Sequence, residues 1–173
     1  MILGLSTSTY TNLHVLISLV GIGSGFVVMF GLLTAKRLAR WTAVFLTTTA
    51  LTSITGFGFP VDHLLPSHIL AILSLVTLAF AVPARYVFRL AGAWRSVYVI
   101  GAALALYFNV FVLIVQSFEK VAVLKTLAPT QKEPPFVIAQ LLALLIFAAL
   151  TILATIRFHP ERMGSVASQK SAA

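Results

Sequence analysis

Five stretches of this chain are apolar for long enough to cross a lipid bilayer: residues 13–33, 42–59, 68–88, 97–118 and 136–156. A bilayer's hydrocarbon layer is about 30 Å thick and a helix rises about 1.5 Å per residue, so about 20 apolar residues span it. The second stretch is the shortest, at about 18 residues, and still lies within the usual range. Lipid offers no hydrogen-bond partner to a bare peptide group, so such segments close their own bonds as helices. The sequence therefore predicts an all-α fold, a polytopic transmembrane bundle with five spanning helices. It forms a single domain over residues 1–158, followed by a disordered Ser- and Ala-rich tail at 159–173. Hydrophobic residues make up 60% of the chain and charged ones 9%, against about 25% charged in soluble domains. There is no cysteine, which removes disulfides, thiolate metal sites and cysteine nucleophiles from consideration.

The net charge of +8 invites a nucleic-acid reading, and the positions of the charges oppose it. Lys36, Arg37 and Arg40, then Arg85, Arg89 and Arg95, then Arg157, Arg162 and Lys170 all fall on one side of the predicted bundle. The other side carries Lys120, Lys125 and Lys132 beside Glu119 and Glu133. Short loops rich in Lys and Arg stay in the cytoplasm, which places the amino terminus outside and the carboxyl terminus inside. Residues 1–12 contain no Lys or Arg, whereas a signal peptide has its basic residues before the apolar run. The first stretch is thus expected to be a retained helix. The partners implied are the lipid bilayer and other membrane subunits, not nucleic acid.

On the first helix His14, Ser18, Gly21 and Gly25 share one narrow stripe. One reading is close helix packing, since Gly21 and Gly25 form a GxxxG pair. The sharper reading is a b-type haem or quinone pocket, with glycine admitting a flat ring and His14 as an axial ligand. The second ligand would be His68, with His63 in reserve, because both start near the same end as His14. The second helix carries Thr48, Thr52 and Thr55 on one face, with Thr49, Ser53 and Gly56 beside it, expected to serve packing or, alternatively, a hydrated lining. The fourth presents Asn109 and Gln116 on a stripe leading to Glu119, and the fifth adds Gln140. A mid-membrane amide is unfavourable against lipid, so Asn109 is expected to face inward.

His14, Asp62, His63, His68, Gln116, Glu119 and Gln140 all map to the external third of the predicted bundle. A site, if the chain has one, is therefore expected to open outward. The long loop 119–135 is expected to fold over the first and third helices, with Glu119 pairing with His14 or His68. No Walker loop, dinucleotide glycine pattern, HExxH, GxSxG or pair of intramembrane aspartates occurs in the sequence.

The stretches YFNVFVLIVQSFE (107–119) and LKTLAPTQKEPPF (124–136) resemble small bacterial inner-membrane proteins of unknown function. That resemblance implies a multi-pass location in the bacterial inner membrane and brings no activity with it. The leading expectation is a non-catalytic accessory or interaction subunit. Its rivals are a redox protein holding one haem b or a quinone near the outer surface, and a small carrier with a polar site at Asn109, Gln116 and Gln140. The charge asymmetry makes one expectation directly testable. A reporter active only in the periplasm should be silent when fused after Arg95 and active after Lys125. The reverse pattern overturns the orientation.

Overall fold

The computed structural model describes residues 4–59 and 66–159. The connection carrying Asp62 and His63, and residues 160–173 of the expected tail, lie outside the described residues. The elements are all helical: α1 (Thr7–Leu33), α2 (Ala39–Gly56), α3 (Pro66–Tyr86), α4 (Ala93–Lys120), α5 (Ala122–Leu127) and α6 (Pro134–Arg157).

Helix boundaries run beyond the apolar stretches where local chemistry supports an extra turn. The Ser6 side chain accepts from the backbone N–H of Thr9 at 3.1 Å. A serine at this position satisfies one of the donors left free at a helix start, so α1 begins several residues before its apolar run. At α6 the entry is Pro134, whose missing N–H costs nothing in a first turn. The preceding carboxylate, Glu133, is turned back on its own loop. It accepts from the Thr130 hydroxyl at 2.8 Å and from the Lys132 N–H at 3.0 Å. Desolvation pushes the Glu133 carboxyl up, but these bonds outweigh it and hold the group below the ordinary glutamate range.

Four helices, α1, α3, α4 and α6, are long and apolar enough to cross a membrane. The second of the five expected spans stands apart. Its helix, α2, has 18 residues, and Arg40, Ser53 and six threonines dilute its apolar content. Its placement is nonetheless that of a full partner to α1. Tyr10 donates to the Thr55 carbonyl at 2.7 Å and His14 meets Thr55 at 2.8 Å. Further down, Gly21 lies against Thr48, Gly25 against Phe45 and Gly31 against Leu38. The two helices thus run antiparallel in contact from one end to the other.

At the centre stands α4. Val99, Ala102, Ala103, Ala105 and Leu106 are almost wholly enclosed. Helix α3 crosses α4 where Ala81 fits against Gly101. Helix α6 is pinned to α4 at three depths. Phe118 meets Phe136 edge-on, Tyr107 packs on Phe147, and the Arg95 guanidinium donates to the Phe158 carbonyl at 2.9 Å. These pairings make α1, α3 and α6 run one way and α2 and α4 the other. One end therefore carries the start of α1 and the end of α4. The opposite end gathers Lys36, Arg37, Arg40, Arg85, Arg89, Arg95 and Arg157. There Arg85 lies over the Tyr98 ring at 5.1 Å, and the turn into α4 passes through left-handed backbone at Arg89, Leu90 and Gly92. The bundle's outward faces are apolar, with Phe30, Leu145 and Ile156 each more than 60% exposed. That surface is compatible with an integral membrane protein.

The glycines of α1 differ in what surrounds them, and this sets an expected ranking. A Cβ on Gly25 would meet Leu106 at 2.5 Å and Phe45 at 2.9 Å, while one on Gly21 would meet the Thr48 hydroxyl at 3.2 Å and the Thr49 hydroxyl at 3.6 Å. Gly23 opens on empty space. Gly25→Ala should therefore cost about 1–3 kcal/mol by overpacking, and Gly21→Ala less. Gly23→Ala should be neutral, or stabilising by up to about 1 kcal/mol through helix propensity. Unfolding midpoints in detergent would check the order, and a Gly23 variant weaker than the Gly25 variant would contradict the packing.

Candidate functional site

Toward the end that carries the start of α1, the four helices α1 to α4 part around a cavity of about 730 Å³. Small-molecule pockets typically measure about 300–1,000 Å³. His14 and Ser18 face it from α1, Thr52 and Ser53 from α2, His68 and Ser74 from α3, and Asn109 and Gln116 from α4. Glu119 and Lys120 stand at its rim, both exposed. Its remaining walls are mainly apolar, with Val15, Leu19, Ile22, Leu70, Phe108 and Val112. Below it the bundle closes on Phe45, Val99 and Leu106, none more than 1% exposed.

The cavity brings together His14, His68, Asn109, Gln116 and Glu119 of the residues singled out from sequence. Gln140 is not among its lining groups. Its Nε2 donates to the Phe111 carbonyl at 3.3 Å, and its Oε1 is buried without a partner among the described residues. His63 lies outside the described residues. Gly21 and Gly25 do not floor the cavity. Their faces are filled by Thr48 and by Phe45 and Leu106, so the flat cradle that a haem reading needs there is already occupied by neighbouring helices. Of their two sequence readings, packing is the one their geometry matches.

The expected pairing of Glu119 with an imidazole is also corrected. The Glu119 carboxylate takes a hydrogen bond from Gln116 Nε2, one turn back on its own helix, at 3.4 Å. The chain beyond it does not close over α1 and α3. Instead Gln131 Nε2 donates to the Val115 carbonyl at 3.1 Å, holding the loop against α4. The physical reason is local: α5 follows α4 directly, with the Val121 N–H donating to the Ser117 carbonyl of α4 and the Lys125 N–H to the Val121 carbonyl.

His14 has a defined role in hydrogen bonding. Thr55 Oγ1 lies 2.7 Å from the Leu51 carbonyl and 2.8 Å from His14 Nδ1, and when its proton goes to the carbonyl it accepts from His14. In that arrangement the ring carries its proton on Nδ1, and Nε2 is left as an acceptor. Phe59 sits edge-on to the ring, with centroids 5.2 Å apart. His68 is 4% exposed and stacks on Phe57 with centroids 5.4 Å apart. Asn109 faces inward as expected, donating to Thr49 Oγ1 at 3.1 Å.

Two lining hydroxyls behave unlike the rest. A Ser or Thr in a helix ordinarily donates to the carbonyl one turn back. Ser18, Ser53, Thr55 and Thr77 do so, at 2.7–3.0 Å. Thr52 Oγ1 and Ser74 Oγ, on lining residues of the adjacent helices α2 and α3, are buried and have no partner among the described residues. The sequence offers Thr52 for packing or for a hydrated lining, and Ser74 is passed over. The signal for Ser74 was its position seven residues after Ser67, two turns down one stripe.

Compared with known protein families, with curated proteins and with solved structures, the chain matches none of them.

The Asn109–Thr49 bond joins α4 to α2 at the cavity floor. A double-mutant cycle of Asn109→Ala and Thr49→Ala should give a coupling of about 0.6 kcal/mol, the usual scale for such bonds between membrane helices. Unfolding measurements showing additive single and double variants would remove the bond from the account.

Proposed function

We propose that this chain is a five-span protein of the bacterial inner membrane, with its amino terminus outside and its carboxyl terminus in the cytoplasm. We propose further that it is a non-catalytic subunit holding an amphipathic small molecule in the outer half of its bundle. The observation that carries this reading is the cavity among α1 to α4, lined mainly by apolar walls and furnished with polar groups from all four helices. The fifth crossing is supported by α2 keeping contact with α1 along its whole length. Its polarity is less costly than its composition implies, since Thr48 and Thr55 return their protons to their own helix at 2.7 Å. The orientation is supported by the basic residues gathered at the end away from the cavity.

Holding is favoured over passage across the membrane. The polar lining is confined to one half, and the other half is packed around Phe45, Tyr98 and Leu106. A carrier needs a route through both halves.

The test is mass spectrometry of the protein released from mild detergent, comparing the natural chain with Ala71→Phe and Val112→Phe, which fill the cavity from two helices. The natural chain should carry a lipophilic molecule of defined mass that both variants lose while keeping their unfolding midpoints within a few degrees. A molecule retained in both filled variants, or none in the natural chain, overturns the reading.

A further inference from the structure

The cavity's polar and apolar groups are arranged so that its ligand can be classed, an inference that rests on the reading above. The seam between α1 and α4 is closed where Gly25 meets Leu106. Seven residues along each helix, two turns toward the cavity end, Leu113 comes opposite Ser18. There Val15, Leu19 and Leu113 line the cavity and are also 44%, 49% and 38% exposed. The cavity thus opens sideways through an apolar mouth, at a depth where the surrounding helix faces are themselves apolar. A ligand using that mouth comes from the lipid and leaves its tail there.

Its head is described by the interior. The two buried hydroxyls without partners among the described residues, Thr52 Oγ1 and Ser74 Oγ, each have a proton to donate. Ser74 is 2% exposed, so leaving its hydroxyl unmet would be unfavourable. The charged lining groups Glu119 and Lys120 stay at the rim, where both are exposed. A head group carrying full charge would therefore have no fixed counter-charge at the level of the hydroxyls. His14 lines the same cavity, and its Nε2 is an acceptor when the ring proton is on Nδ1. We propose that the ligand is an isoprenoid quinone, whose neutral ring offers carbonyl acceptors to Thr52 and Ser74 and whose tail leaves between α1 and α4. Its reduced form has a hydroxyl proton that His14 Nε2 can accept. A phospholipid would fit the mouth but would set a charged phosphate against uncharged donors.

The experiment is calorimetric titration of the purified protein, stripped of bound lipid, with a decyl-substituted benzoquinone. Decane and dihexanoyl phosphatidylglycerol serve as the tail-only and phosphate-headed probes. The quinone should bind, and Ser74→Ala and Thr52→Val should each weaken it by roughly twofold to tenfold, the loss of one hydrogen bond. Ser117→Ala, whose hydroxyl already serves the Leu113 carbonyl at 2.7 Å, should not. The unliganded Ser74→Ala protein should melt no lower than the natural chain, because an unmet hydroxyl has been removed. A lower midpoint would mean that Ser74 was serving the fold, and the assignment would fail. Decane binding as tightly as the quinone, or phosphatidylglycerol binding in its place, overturns the quinone class and leaves the cavity's holding role intact. If no probe binds and the natural chain carries no molecule, both readings fall together.

Discussion

The close approach of α1 to α2 and α4 is the contact on which the rest of the bundle depends. Inside a bilayer the gain from hiding apolar surface is small, since lipid tails are as apolar as leucine. Cohesion must come from atoms in actual contact and from hydrogen bonds between helices. Gly25 lets Phe45 and Leu106 press against the α1 backbone from two neighbours at once. Leu106 belongs to α4, which in turn seats α3 at Gly101 and α6 at Phe147. A single backbone approach thus fixes the spacing of the four helices that surround the cavity.

The same approach explains why the molecule divides into two unlike halves. Below Gly25, small and bulky residues interlock and leave no room. Above it, α1 and α4 are no longer drawn together by a glycine against a leucine, and side chains as short as serine and alanine face the gap. The polar groups in that space fall into two sets. Most hydroxyls are satisfied by their own helix, and Asn109 is satisfied by Thr49. Thr52 and Ser74 are the exceptions, and both sit on the cavity wall.

Much of this was legible in the sequence because membrane helices obey simple constraints. Apolar length marked α1, α3, α4 and α6, and the one-sided stripe of Asn109 and Gln116 correctly pointed inward. The shared depth of His14 and His68 followed from counting residues from the same end. Other features were set by contacts that no single stripe displays. Gly21 and Gly25 read equally well as a cradle or as packing until Thr48, Phe45 and Leu106 were seen to fill them. Glu119 pointed toward two histidines on paper, yet Gln116 on the same helix reaches it first. Ser74 carried no signal beyond a spacing of seven from Ser67. Its distinction is the absence of a back-bond, which depends on rotamer and surroundings rather than on residue type. The polarity of α2 was visible, but its full-length contact with α1 was not.

Helix α6 contributes nothing to the cavity wall, and the last residue that does is Val121. Of its 24 residues only Phe147 and Ala154 are buried. Chains fold as they are made, earlier segments first. Every group that shapes the cavity has therefore been synthesised before α6 begins at Pro134. In this order of assembly the final helix acts as a closing stave, laid against a pocket whose walls are already in place.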